Sequence, residues 1–120
     1  MGLHEFRDMI TNEVYDILQP EVMVVGGPTE MRKIGALAAA FRRKIIPHRG
    51  GSALGIMSHL HLVASWSHAP YIELLHDPPI SDYQHLFAEL DQCPQVDSKG
   101  CFELSKSLGL GVNIDPAAKV

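Results

Sequence analysis

Hydrophobic positions switch between two spacings along this chain, and each switch marks an element. Residues 5–12 carry Phe6, Met9 and Ile10 at helical intervals, which predicts a short helix ending near Asn12. Residues 14–18, Val-Tyr-Asp-Ile-Leu, read instead as a strand that Gln19-Pro20 stops just before Glu21. The run Val22-Met23-Val24-Val25 either extends that strand beyond a bulge or floors a loop, and Gly26-Gly27-Pro28-Thr29 is a turn. From Thr29, the expected N-cap, Met31, Ile34, Leu37, Ala38 and Phe41 form one apolar face, with Arg32, Lys33, Arg42 and Arg43 opposite. Such a helix packs one side onto a sheet. Ile45-Ile46-Pro47 is a second strand, and an Arg-Gly-Gly turn leads to Ser52, a second N-cap candidate. Residues 53–66 then form a helix so uniformly apolar, His59 and His61 apart, that it needs cover on more than one side. Ser67-His68-Ala69-Pro70 breaks it, residues 71–75 make a third strand, and Asp77-Pro78-Pro79 ends that strand sharply.

The order β-α-β-α-β places the chain in the α/β class. Parallel crossovers of this length are right-handed, so both long helices are expected on one side of a three-stranded parallel sheet. Residues 80–120 have weaker periodicity, with a helical turn at 83–88 and an alternating edge strand at 109–115. Gly109-Leu110-Gly111 lacks a third glycine and a following helix, and so is no dinucleotide fingerprint.

Composition narrows this picture. With 46% hydrophobic and 20% charged residues the chain can bury a core, but its 120 residues make one domain at most. A net charge of −4 argues against nucleic acid, which requires a clustered basic surface. The basic cluster Arg42-Arg43-Lys44 ends a helix, where cations complement the dipole. The first residues lack the apolar core of a signal peptide, and the apolar stretch 34–41 is far short of the roughly 20 residues that span a bilayer. A cytoplasmic chain without membrane contact is therefore expected. Cys93 and Cys101 constitute neither a zinc site nor a disulfide framework and are read as unpaired.

The candidate chemistry centres on His48, at the end of the second strand and just ahead of a helix. Glu21 lies 27 residues before it and Glu73 lies 25 after it, each closing a strand-like segment. That interval is about one strand-plus-helix unit, so parallel neighbouring strands bring two carboxylates and an imidazole to one sheet edge. An imidazole oriented by a carboxylate can act as general acid or base, and Glu21 is the candidate partner. The plain structural alternatives are a capping histidine at His48 and a surface acid at Glu73. The apolar neighbours Ile72 and Leu74 weigh against the latter. Arg49, Gly50 and Gly51, with Ser52, offer a cation and backbone N–H groups at a helix N-terminus, suited to a substrate carboxylate or phosphate, although an ordinary glycine turn has the same pattern. His59 and His61 are two apart on a helix, point to different faces and cannot chelate together.

Placed in this order, the segments resemble the C-terminal portion of a sugar-acid dehydratase of the mandelate racemase subgroup of the enolase superfamily. Asp16-Ile17-Leu18-Gln19-Pro20-Glu21-Val22-Met23 with Gly26-Gly27-Pro28-Thr29-Glu30 is similar to that family's sixth strand and loop. Pro47-His48 resembles its seventh strand, Tyr71-Ile72-Glu73 its eighth, and Leu108-Gly109-Leu110-Gly111-Val112 its returning tail. The resemblance implies a partial (β/α)8 TIM-type barrel, with residues 1–79 as its C-terminal βα units and residues 80–120 as a C-terminal extension. It implies proton abstraction α to a carboxylate and loss of water from a rhamnonate-like or galactonate-like acid. His48 is then the acid/base, Glu73 assists it, and Glu21 stands where the family has aspartate, one methylene longer in reach.

The same resemblance implies Mg2+ held by carboxylates on the third to fifth strands, and a lysine base on the second, all upstream of Met1. Without them the chain is expected to bind no Mg2+ tightly and to be inactive alone. It is also expected to self-associate or to need a complementing N-terminal portion. A non-catalytic interaction module derived from that fold, and a different barrel enzyme gripping phosphate through Arg49-Gly50-Gly51, are the alternatives.

Overall fold

A computed structural model describes residues 1–49, 51–88 and 90–114. Helix α1 spans Leu3–Thr11 and buries Phe6 and Ile10, with Asn12 as its C-cap. Strand β1, Ile17–Leu18, pairs in parallel with β2, Lys44–Ile45, in the register Ile17 to Lys44 and Leu18 to Ile45. Between them lie α2, Val22–Val25, and α3, Pro28–Ala40. Helix α4 spans Ala53–Ala64, a hairpin joins β3, His76–Asp77, to β4, Ser81–Asp82, and a 3-10 helix covers Tyr83–Phe87.

Several local expectations change. Helix α3 is capped by Gly27, not Thr29, because Pro28 occupies the first helical position, where its missing N–H costs nothing. Its last turn closes at Ala40, which leaves Phe41 as the C-cap and about half exposed (48%) rather than on the buried face. Residues 22–25 do not extend the strand: the Glu21 carboxylate caps the Met23 N–H at 2.9 Å, and Gly26, at φ 105°, ends a single helical turn. Gly27 follows at φ 91°, so two successive left-handed positions turn the chain from α2 into α3, a conformation costly for any side chain. The expected edge strand at 109–115 is a looped tail. Gly109 and Gly111 have φ of 68° and 78°, and Ile114 bridges Leu90 alone. Asp115 lies outside the described residues.

The third expected strand is the larger correction. Residues 71–75 run without a paired ladder, although the chain starts beside β2: the Ile45 N–H donates to the His68 carbonyl at 3.2 Å. Two pulls take it away. Ile72 and Leu74 pack into a second apolar cluster, and the Leu75 carbonyl accepts the Tyr83 N–H at 2.8 Å.

Burial explains why α4 reads as apolar all round. One cluster joins Phe6, Ile10, Leu18, Met31, Ile34, Ile45 and Leu62, covering the helical side of the sheet. The other joins Ala53, Ile56, Met57 and Leu60 to Tyr83 and Phe87, with Phe102, Leu104, Leu110 and Val112 packed around them. The tail thus supplies α4's second cover, and the His61 ring meets the Leu110 carbonyl at 3.1 Å. Arg43 reaches Glu13 at 3.2 Å and Asp16 at 3.6 Å, so the basic cluster is a helix end tied to neighbouring acids. Cys93 and Cys101 are free thiols. Among the described residues no helix is long and apolar enough to cross a membrane.

Close approach of α3 to the end of α4 depends on Gly35. A Cβ there would lie 2.5 Å from Trp66 Cζ2 and 2.7 Å from Cε2. Gly35→Ala is therefore expected to destabilise by about 1–3 kcal/mol through overpacking, against a helix-propensity gain of about 1 kcal/mol. Urea unfolding of the two proteins checks this, and an unchanged or raised midpoint would contradict the packing.

Candidate active site

Exposure alternates along both parallel strands. Leu18 and Pro20, and Ile45 and Pro47, are buried against the helices, whereas Ile17, Gln19, Lys44 and His48 are exposed and Ile46 is half-buried. Period two thus gives the sheet one covered face and one open face. The ladder continues past the paired residues: the Ile46 N–H donates to the Leu18 carbonyl at 2.9 Å, and the His48 N–H to the Pro20 carbonyl at 3.0 Å. These two bonds bring His48 alongside the Pro20-Glu21 peptide at the carboxyl ends of the strands. Because Ile46 and His48 direct their N–H groups to β1, the Ile45 N–H points to the other edge, and the segment carrying Glu73 starts there.

Glu73 is half-buried, and its Oε2 accepts a hydrogen bond from Gln19 Nε2 at 3.1 Å. The sequence assigns Gln19 to the end of a strand and gives it no chemical role. Its position on the open face, two residues before Glu21, is the signal that could have found it. The imidazole of His48 forms no hydrogen bond to Glu21 or Glu73 among the described residues. Arg49 and Gly51 are exposed, and Gly50 lies outside the described residues. The Ser52 hydroxyl is engaged with the Gly55 N–H at 3.1 Å, which defines the start of α4.

The structure adds His59, which the sequence reading left as a core or surface histidine. It is fully buried, and its Nε2 accepts the Val22 N–H at 3.0 Å while standing 4.0 Å from Glu21 Oε1. An Nε2 that accepts cannot carry a proton, so the neutral ring has its hydrogen on Nδ1, which is buried with no partner among the described residues. Burial pushes the pKa of His59 from 6.5 down to about 4, the neighbouring Glu21 charge opposing and His48 adding to the fall. At neutral pH the contact with Glu21 is hence no ion pair.

The described residues do not suit Mg2+. No three His, Cys, Asp or Glu side chains among them stand together as a metal requires, and the carboxylates of Glu21 and Glu73 already accept hydrogen bonds.

A histidine held neutral in the folded chain links stability to pH. The unfolded chain takes up its proton near pH 6.5 and the folded chain only near pH 4, so acid favours unfolding. Stability from this source is complete above pH 6.5 and falls by about 3 kcal/mol as the pH drops to 4, at 1.36 kcal/mol per unit. Urea midpoints between pH 4 and 7 measure it. His59→Gln should flatten the dependence, and an unchanged slope would assign it to other groups.

Comparison with known proteins follows the same lines. Residues 1–118 match the enolase C-terminal domain-like family. The chain is 33% identical over 125 residues to L-rhamnonate dehydratase of Saccharopolyspora erythraea, covering 99% of this chain and 31% of that protein. An enolase protein from Sargasso Sea environmental sequencing superposes with a TM-score of 0.80 at 28% identity, over 96% of this chain and 29% of that one. An enolase from Pantoea ananatis with bound D-gluconate and Mg shows the same fold, with a TM-score of 0.78 at 24% identity over 93% of this chain and 26% of that one. The chain thus spans less than a third of the length of the relatives it matches. With a match over nearly its whole length and the α/β strands that carry His48 and Glu21 in parallel, the chain belongs to the enolase C-terminal domain-like family, whose fold is the α/β TIM barrel.

Proposed function

We propose that this chain supplies the proton-transfer edge of a sugar-acid dehydratase, acting on an aldonate of the rhamnonate or galactonate type. The observation that carries this reading is the ladder bond from the His48 N–H to the Pro20 carbonyl, which brings the His48 backbone alongside the Pro20-Glu21 peptide at the open end of the sheet. Glu73 accepts a hydrogen bond from the Gln19 amide, which follows β1. In the reaction the bond from the α carbon to hydrogen breaks, the hydroxyl on the β carbon departs as water, and the resulting enol becomes a 2-oxo-3-deoxy acid. His48 exchanges the proton. The neutral ring can accept it from carbon and the protonated ring can deliver it to the leaving hydroxyl. Glu21 orients the ring, and Glu73 assists the proton transfer. Arg49, Gly50 and Gly51, just ahead of α4 in the chain, offer a cation and backbone N–H groups for an anionic substrate.

Stabilising the enolate is the costly part, and the described residues hold no electrophile for it. A magnesium ion of the kind bound in the Pantoea relative would supply that stabilisation, from ligands outside the described residues. The 120-residue chain purified alone is expected to bind magnesium weakly and to give no turnover of acid sugars. In the protein as it is produced in its own cell, aldonates are screened for magnesium-dependent formation of 2-oxo-3-deoxy acid. There His48→Asn is expected to lower kcat by about 10²–10⁴ with little change in KM. An unaffected rate removes His48 from the chemistry, and turnover by the purified chain would mean that the described residues suffice.

A second reading rests on exposed apolar side chains. Tyr15, Ile17, Met23 and Val24 are 53%, 43%, 61% and 64% exposed around β1, whose outer edge is unpaired among the described residues. In this reading the chain is an interaction module that pairs with a second copy or with a complementing barrel segment. Light scattering over a concentration series is expected to show a mass above the monomer. A strict monomer with concentration-independent unfolding would exclude pairing of copies.

A further inference from the structure

We propose that His59 is a positioning residue for this site, fixing the turn that carries Glu21 beside His48 by accepting the Val22 N–H. The proposal rests on the acid/base reading of Glu21 and His48 given above. Helix α2 has four residues, too few to be stable by its own hydrogen bonds, and the N–H groups of its first turn need outside acceptors. Two are present. The Glu21 carboxylate takes the Met23 N–H at 2.9 Å, and His59 Nε2 takes the Val22 N–H at 3.0 Å from a helix 37 residues further along the chain. The first bond is local to the turn. The second ties the turn to α4, itself locked between two apolar clusters.

The choice of histidine has a reason. His59 is the one fully buried polar side chain among the described residues, on a helix whose neighbouring positions are Ile56, Met57, Leu60 and Leu62. An apolar residue there would leave the Val22 N–H buried without an acceptor. A permanent cation would instead bind Glu21, whose Oε1 is 4.0 Å away, and consume the charge that orients His48. A ring that accepts from Val22 and carries its hydrogen on the far nitrogen does neither. It holds the backbone of the turn and leaves the carboxylate unneutralised.

The test uses the 120-residue chain labelled with 15N. Two-bond proton–nitrogen correlations are expected to show the His59 ring protonated at Nδ1 and bare at Nε2. Amide exchange at Val22 and Met23 is expected to quicken by about tenfold in His59→Leu, with the Ile46 amide as reference, and to return toward the native rate in His59→Gln, which restores an acceptor. The His48 ring resonances should move in His59→Leu and recover in His59→Gln. A neutral ring protonated at Nε2 would overturn the proposal even if His59→Leu failed to fold, and so would Val22 and Met23 exchange unmoved by that variant. Glu21→Gln separates the two readings. His48 resonances unmoved by it would overturn the pairing of Glu21 with His48, whereas loss of protection in His59→Leu would still tie α2 to α4.

Discussion

Two parallel hydrogen bonds, from Ile46 to Leu18 and from His48 to Pro20, align the backbone of His48 with that of Glu21. They are not what makes the arrangement stable, since a backbone hydrogen bond contributes about 1 kcal/mol net. Leu18 and Ile45, both at 0% exposure in the register of that ladder, contribute about 1.5–3 kcal/mol each. A slip by one residue would turn those two side chains to the open face and carry His48 and Gln19 into the core. Core packing therefore sets the register, and the register leaves Gln19 and His48 on the open face, the complement of the buried one.

Helix α4 connects that sheet to the rest of the molecule. It has two burdens, with Leu62 under the sheet cluster and Ile56, Met57 and Leu60 under the tail. The double burial explains why residues 71–75 leave β2. Ile72 and Leu74 gain more from the tail cluster than a short ladder next to Pro70, which has no N–H to give, would return. It also makes α4 the rigid platform from which Ser52 and His59 act. Glu73 still meets Gln19 without a ladder, as expected where side chains of alternate barrel strands share a layer.

His59 imposes the clearest cost in the fold. Its Nδ1 is buried with no hydrogen-bond partner among the described residues, a kind of defect that costs about 1–3 kcal/mol. That cost falls beside the candidate site, where an uncharged acceptor lets Glu21 cap α2 and keep its charge. An apolar side chain would remove that cost but would leave the Val22 N–H without its acceptor. The retained polar group points instead to the geometry of the turn.

Local spacing was enough to locate α1, α3 and α4 and the first two strands with their parallel pairing, because apolar periodicity and the length of a βα unit are properties of contiguous residues. The Ser52 cap was readable for the same reason. The Gly27 cap was not, since Thr29 and Gly27 compete within one turn and the position of Pro28 settles it. Residues 71–75, the Gln19–Glu73 contact and the role of His59 were hidden for another reason. Each depends on partners tens of residues away, such as the 37 between Val22 and His59 and the 54 between Gln19 and Glu73. Sequence determined most of the face that each helix and strand buries, Phe41 excepted. Tertiary structure decided which polar groups meet, because only the packed core fixes the distances over which hydrogen bonds form.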